Sequence, residues 1–195
     1  MSGGTTLDAD NTLTVSGALT HAGDITIDVA GTRTLTYTGT PISLGEHTLK
    51  LMGGGNLLSG GLKINNVNSK LLLSSITVDS VSTSVDNSLG VEVDNDSTIS
   101  NFAVGNITPV SIASGKTLSG GIGVTAGSIK LTDNGTLASN VSMSGGTTLD
   151  ADNTLTVSGT LTHAGDITID VAGTRTLTYT GTPISLGEPT LKLMG

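Results

Sequence analysis

The side chains best suited to chemistry in this chain are its clustered acids, its few bases and its threonines. Asp8-Ala9-Asp10-Asn11, its later counterpart Asp150 to Asn153, and Asp94-Asn95-Asp96 gather oxygen donors where the chain should turn. Calcium takes several converging hard oxygens, so Ca2+ is the one cofactor these clusters raise. The calcium-binding nonapeptide Gly-Gly-x-Gly-x-Asp is absent, however, and Asx residues at turns commonly bond their own backbone. The sequence therefore assigns no metal ligand.

Catalytic groups are equally sparse. His21 and His163 occupy the same seat in two copies of one sequence, as do Arg33 and Arg175, and a residue that recurs with a repeat is more economically structural. His47 is replaced by Pro189 in its counterpart. Polysaccharide lyases and hydrolases on repetitive β folds group carboxylates with an Arg or Lys in a groove, often with aromatics. No such group, Ser/His/Asp arrangement or carboxylate pair stands out here. The expectation is no enzyme, with no catalytic or cofactor-binding residue, and a polysaccharide-active enzyme is the distant alternative.

The threonines come as Thr-x-Thr pairs: Thr12/Thr14, Thr34/Thr36, Thr154/Thr156 and Thr176/Thr178. The series weakens to Ser75/Thr77, Thr98/Ser100, Thr117/Ser119 and Thr136/Ala138, and fails at Asn56/Leu58. Rows of Thr on a flat face are how several ice-binding proteins present themselves, which makes an ice- or glycan-binding face the alternative function. The plainer reading is that Thr fits strands and pairs well across them.

What must position these residues follows from the repeat. Met1 to Gly53 and Met143 to Gly195 match at 51 of 53 positions, differing only at Ala18/Thr160 and His47/Pro189. The 142-residue unit (1–142) and its partial second copy (143–195) read as one continuous window on a longer array. Neither end carries an atypical polar cap, so a piece of a longer parent is expected, joined to further repeats or to another copy along its axis. Pro189 should remove one ladder donor at the start of a strand without serving as a cap.

A shorter rhythm lies within the unit. Cutting before each alternating Thr/Ile/Leu run gives segments 5–24, 25–46, 47–70, 71–88, 89–109, 110–127 and 128–146, after which the cycle restarts. Three apolar columns run through them. The first is Leu7, Ile27, Leu49, Leu71 or Leu72, Val91, Ile112, Ile129, Leu149, Ile169 and Leu191. The second is Leu13, Leu35, Leu57, Ile76, Ile99, Leu118, Leu137, Leu155 and Leu177; the third is Leu19, Ile42, Leu62, Val81, Val104, Ile122, Val141, Leu161 and Ile184. Their Thr, Ser, Asp and Asn neighbours give the period-2 alternation of strands with one buried face. Asp10-Asn11, Ser16-Gly17, Ala30-Gly31 and Asp133-Asn134-Gly135 supply the corners.

The fold class is therefore all-β: a parallel β-solenoid with about 20 residues and three short strands per coil, expected to be right-handed. At about 4.8 Å per rung, seven coils advance roughly 34 Å. Leu13, Leu35, Leu118 and Leu155 should be buried, with Thr12, Thr14, Thr34 and Thr36 exposed on one face. Phe102 and Tyr37 are expected near corners or outside, because the interior is narrow. In the outward row Asp8, Asp28 and Lys50, two like charges should stack with a partner beyond.

Composition agrees with that fold. The chain has three aromatics, no Cys and 28 Gly, and the shortage of good helix formers nearly excludes helix. A net charge of −8 speaks against nucleic acid as a partner. No apolar run is long enough to span a membrane. The start, Met-Ser-Gly-Gly, has no signal-peptide character.

Asn11-Thr-Leu-Thr-Val-Ser-Gly17, Lys116-Thr-Leu-Ser-Gly-Gly121 and Asn134-Gly-Thr-Leu-Ala-Ser139 resemble the repeat regions of large secreted bacterial β-solenoids, namely autotransporter passengers and filamentous-haemagglutinin-like adhesins. The resemblance spans the whole chain. It implies a structural or adhesive fibre, stalk or filament at the cell surface or outside the cell, exported and anchored by modules not in this sequence.

Overall fold

A computed structural model of the chain describes residues 1–185 and 188–195. Alternating apolar and small polar residues leave each strand one face to bury, and among the described residues there is no helix. Ten parallel strands form the first sheet: Thr5–Ala9, Ile25–Val29, Thr48–Met52, Lys70–Ser74, Gly90–Val93, Thr108–Ile112, Ser128–Leu131, Thr148–Ala151, Ile167–Val171 and Leu191–Met194, paired in that order. Leu7 pairs with Ile27, 20 residues on, so the chain returns to the sheet once per coil. This is a parallel β-solenoid.

The other faces are closed by a second set of parallel ladders. Two short strands per coil are present where expected in several coils, as in Asn56–Leu58 followed by Leu62–Ile64, and Leu155–Val157 followed by Leu161–His163. Among the described residues the expected strands at Leu19 and Ile184 do not form after Leu13–Val15 and Leu177–Tyr179. In three central coils the two short strands merge into the single strands Thr77–Thr83, Ser97–Val104 and Thr117–Val124. There the corner residues stay paired, Ser80 on Asn101, so the chain bends without leaving the ladder. A bulge between Ile99 and Phe102 absorbs the extra length. Gly120 (φ 116°) lies opposite it, where a Cβ would stand 1.8 Å from the Ile99 carbonyl oxygen; only glycine fits.

The interior is a stack of Leu, Ile and Val, each fully buried aliphatic side chain contributing about 1.5 to 3 kcal/mol before chain entropy is counted. Of the two candidates at 71 and 72, Leu71 points inward and Leu72 outward. The inward faces match the sequence reading, but the stacking partners slip by two residues in several places. Leu49 sits on Ile25 while Ile27 sits on Leu51; Val78 stacks on Leu57 in place of Ile76; Val157 stacks on Leu137 in place of Leu155. Such a slip leaves every side chain on its own face, so the hydrophobic pattern alone does not detect it.

Five burial expectations need correction. Phe102 is fully buried, stacked between Val81 and Ile122 in the seat assigned to Val104. Tyr37 is buried too, and its hydroxyl accepts the Leu19 N–H at 2.7 Å, which satisfies its polar end. Both aromatics stand opposite smaller residues of neighbouring rungs, Tyr37 opposite Val15 and Phe102 opposite Val81. Leu13 is exposed, since its strand pairs on only one side within residues 1–195. Leu35, Leu118 and Leu155 are buried as expected; Thr12 and Thr14 are exposed, and Thr34 and Thr36 half-buried.

The two copies fold alike. Leu7 on Ile27, Leu13 on Leu35 and Ile25 on Leu49 recur as Leu149 on Ile169, Leu155 on Leu177 and Ile167 on Leu191. Tyr179 likewise accepts the Leu161 N–H, at 3.1 Å. Pro189 precedes the strand Leu191–Met194, and at its counterpart the His47 N–H donates to Leu44 O within a turn (3.3 Å). The donor lost at that seat is thus a turn bond and not a ladder bond, a correction to the sequence reading.

Candidate functional surfaces

The threonine face is built on the second set of ladders, whose outward seats alternate with the buried Leu and Ile. Thr34, Asn56, Thr77, Thr98 and Ser119 stand in one vertical row. A second row holds Thr117, Thr136, Thr156 and Thr178. Both pass through the strand Thr117–Val124, but the rows are offset from each other by two residues. A third row, Thr14 on Thr36, is interrupted by the exposed Leu58. Full Thr-x-Thr pairs lie side by side only in the coils of Thr12/Thr34 and of Thr154/Thr176. The surface is thus two longer narrow hydroxyl rows and one short one, not one broad array.

Several of the acidic residues act as clamps between coils. Asp24 accepts the Thr48 N–H (2.7 Å), Asp86 the Ile107 N–H (3.0 Å), Asp96 the Thr117 N–H (2.8 Å) and Asp166 the Thr190 N–H (2.6 Å). Asn65 and Asn140 do the same for Gly45 and Thr160. Asp79 is the most engaged: Oδ1 accepts Ser59 N–H (3.0 Å), Ser59 Oγ–H (2.9 Å) and Ser80 N–H (2.8 Å), and Oδ2 accepts Gly60 N–H (3.0 Å). At these corners a backbone donor leaves the ladder, and a short acid or amide from an adjacent coil, most often the preceding one, satisfies it. Among the described residues no three His, Cys, Asp or Glu side chains converge as a metal site would require.

Like charges do stack, Asp8 on Asp28 and Asp150 on Asp170. The expected partner Lys50 is not beyond them: Met52 pairs with Asp28, and Lys50 faces Thr26. The two-residue slip described above is the reason. In the second copy the cation comes from the preceding coil, where Lys130 reaches Asp152 at 2.8 Å and Asp150 at 3.5 Å. Its hydrogen bond to Asp152 raises the Lys130 pKa. Burial raises that of Asp150, outweighing the attraction of Lys130, with Asp152 and Asp170 adding repulsion. Lys70 and Glu92 form a further outward pair at 2.5 Å.

The repeated histidines sit at corners. His21 Nδ1 lies 3.1 Å from Gly23 O and Nε2 3.0 Å from Ser43 O, and His163 Nδ1 keeps the first contact with Gly165 O at 3.0 Å. His163 Nε2 is buried without a hydrogen-bond partner among the described residues. The ring of His47 meets His21 edge-on, centroids 5.6 Å apart, a contact that Pro189 removes from the second copy. The groove beside Ser75, Thr77 and Thr98 holds one carboxylate, Asp96, already bonded to Thr117.

Sequence reasoning missed Asn87. This buried amide donates to Asn66 O (2.7 Å) and Ser69 O (3.0 Å) and accepts the N–H of Leu89 (2.9 Å) and of Gly90, tying two coils at one corner. Its only signal is an Asn two residues before a Leu-Gly corner. No helix among the described residues is long and apolar enough to cross a membrane. No protein-family model matches the chain, and no curated protein or solved structure matches it.

Proposed function

We propose that the chain is a structural segment of an extracellular fibre or stalk, of the kind found in autotransporter passengers and filamentous-haemagglutinin-like adhesins. The observation that carries this reading is the recurrence of identical inter-coil registers after 142 residues within the same sheets. A unit that hands the chain on in the register at which it began extends without limit, as a spacer requires. The acids supply clamps between coils and the histidines supply corner bonds, which leaves the outer faces polar and repetitive. Adhesion would then reside in those faces or in neighbouring segments.

The test is length. Chains carrying one, two and three further 142-residue units should be rods that lengthen by roughly 34 Å per unit in solution scattering and electron microscopy. Immunolabelling of intact source cells should place the epitope outside. Compact particles whose longest dimension does not grow with copy number, or labelling only after permeabilisation, would overturn the proposal.

A further inference from the structure

We infer that Asn134 is a site of spontaneous covalent modification, converting to aspartate and isoaspartate through a cyclic imide with Gly135. Asn134-Gly135 is the sole Asn-Gly pair in the sequence. It occupies the corner between the strands Ser128–Leu131 and Thr136–Leu137, with Asn134 exposed. The reaction needs the Gly135 backbone nitrogen to attack the side-chain amide carbon of Asn134. Among the described residues that nitrogen has no hydrogen-bond partner, and neither does the Asn134 amide.

The atoms balance with water alone. The Gly135 nitrogen loses its proton and bonds to Asn134 Cγ, while Nδ2 takes up a proton and leaves as ammonia. Water then opens the imide at either carbonyl, giving aspartate or, with the backbone rerouted through the side chain, isoaspartate. No enzyme or oxidant is required.

Related corners provide internal controls. Asn153, one coil on, donates from Nδ2 to Thr132 O (3.3 Å) and accepts the Thr154 N–H at Oδ1 (2.9 Å), and its following residue is β-branched. Asn95 donates to Ser74 Oγ at 2.9 Å and precedes Asp96. Each must break side-chain bonds before it reaches the cyclic geometry; Asn134 has none to break. The difference should make Asn134 about tenfold or more faster than Asn153.

The fold keeps the vulnerable pair in place. A Cβ at position 135 would lie 2.3 Å from Ile112 Cγ2 and 2.6 Å from Ile112 O, so glycine is demanded by packing. The same tightness makes the product disruptive. Isoaspartate lengthens the backbone by a methylene beside Gly135 O, which accepts the Thr156 N–H (3.3 Å), and Thr136 N–H, which donates to Lys116 O (2.8 Å). Both outcomes also add a negative charge next to Asp133.

The experiment is incubation of the full chain in mildly alkaline buffer, followed by peptide mapping with mass spectrometry and enzymatic isoaspartate methylation. Conversion should concentrate at Asn134, at about tenfold or more the rate at Asn153. Asn134→Ser should remove most of the methylation signal, and amide exchange at Thr136 and Thr156 should speed up in the aged protein alone. Equal rates at Asn134, Asn95 and Asn153 would overturn the inference. So would an unmodified Asn134 in the folded chain under conditions that convert it in the urea-unfolded chain.

Discussion

Leu13 and Leu155 are the same residue in the same local sequence, yet Leu13 is 41% exposed and Leu155 only 3%. The strand Leu155–Val157 is paired on both sides, whereas the strand of Leu13 is paired on one side only, where Leu13 meets Leu35. Burial in a solenoid is thus conferred by adjacent rungs, not by local sequence. Leu155→Ala should cost about 2 to 5 kcal/mol. Leu13→Ala should stay within about 1 kcal/mol, as for other exposed positions. Native-state hydrogen exchange in the flanking strands is the appropriate measurement, because long repeat arrays do not unfold as one unit.

Phe102 is the largest fully buried side chain among the described residues and has no access to solvent. Phe102→Ala should destabilise the coils of Val81 and Ile122 by about 3 to 5 kcal/mol, and Phe102→Leu by clearly less, since most of the volume is kept. Were Phe102→Ala neutral by denaturant titration, the inward seat assigned to the ring would be wrong.

Asp79 gathers four donors at the corner of Ser59 and Gly60. Asp79→Ala leaves the Gly60 N–H unpaired and should cost about 1 to 3 kcal/mol. Protection of the Gly60 and Ser59 amides in hydrogen exchange should fall in the same variant, while that of Thr48, clamped by Asp24, is unchanged.

Lys130 and Asp150 give the protein a pH dependence of worked-out sign. Asp150 has a raised pKa in the folded state, so between its ordinary and its raised value the folded chain binds more protons than the unfolded one. Stability from this group therefore falls as pH rises through that acidic window. Lys130, also raised, stabilises fully below its ordinary value, and that contribution is lost as alkaline pH passes its folded one. Asp150→Asn should flatten the acidic slope. Lys130→Gln should cost about 0.2 to 1 kcal/mol at neutral pH, no more because the pair is partly exposed and screened. Denaturation midpoints across pH, with the Asp150 carboxyl followed by NMR, would check both.

The hydroxyl rows are narrow and offset by two residues at the strand Thr117–Val124. The full chain should therefore give no thermal hysteresis and no faceted ice growth. A measurable hysteresis, abolished by Thr156→Val with Thr136→Val, would revive the ice-binding reading.

The sequence by itself determined the fold class, the rung length and the inward face of nearly every strand. It does so because side chains alternate with period two and each coil has to bury one face of every strand. The 51 matched positions also determined that the two copies would fold alike, since the same residues meet the same neighbours. Only the tertiary structure decided which inward residue lies on which. Ile27 over Leu49 and Ile27 over Leu51 bury the same face, and corner length and the bulge beside Gly120 select between such registers. From that choice follow the displacement of Lys50 from the aspartate row and the offset of the threonine rows. The inward seats of Phe102 and Tyr37 depend on the smaller residues stacked beside them on other coils. Asp79, Asn87 and Asn134 were illegible as a clamp, a tie and an unbonded amide for the same reason: each role is defined by backbone groups on other coils, which no local pattern records.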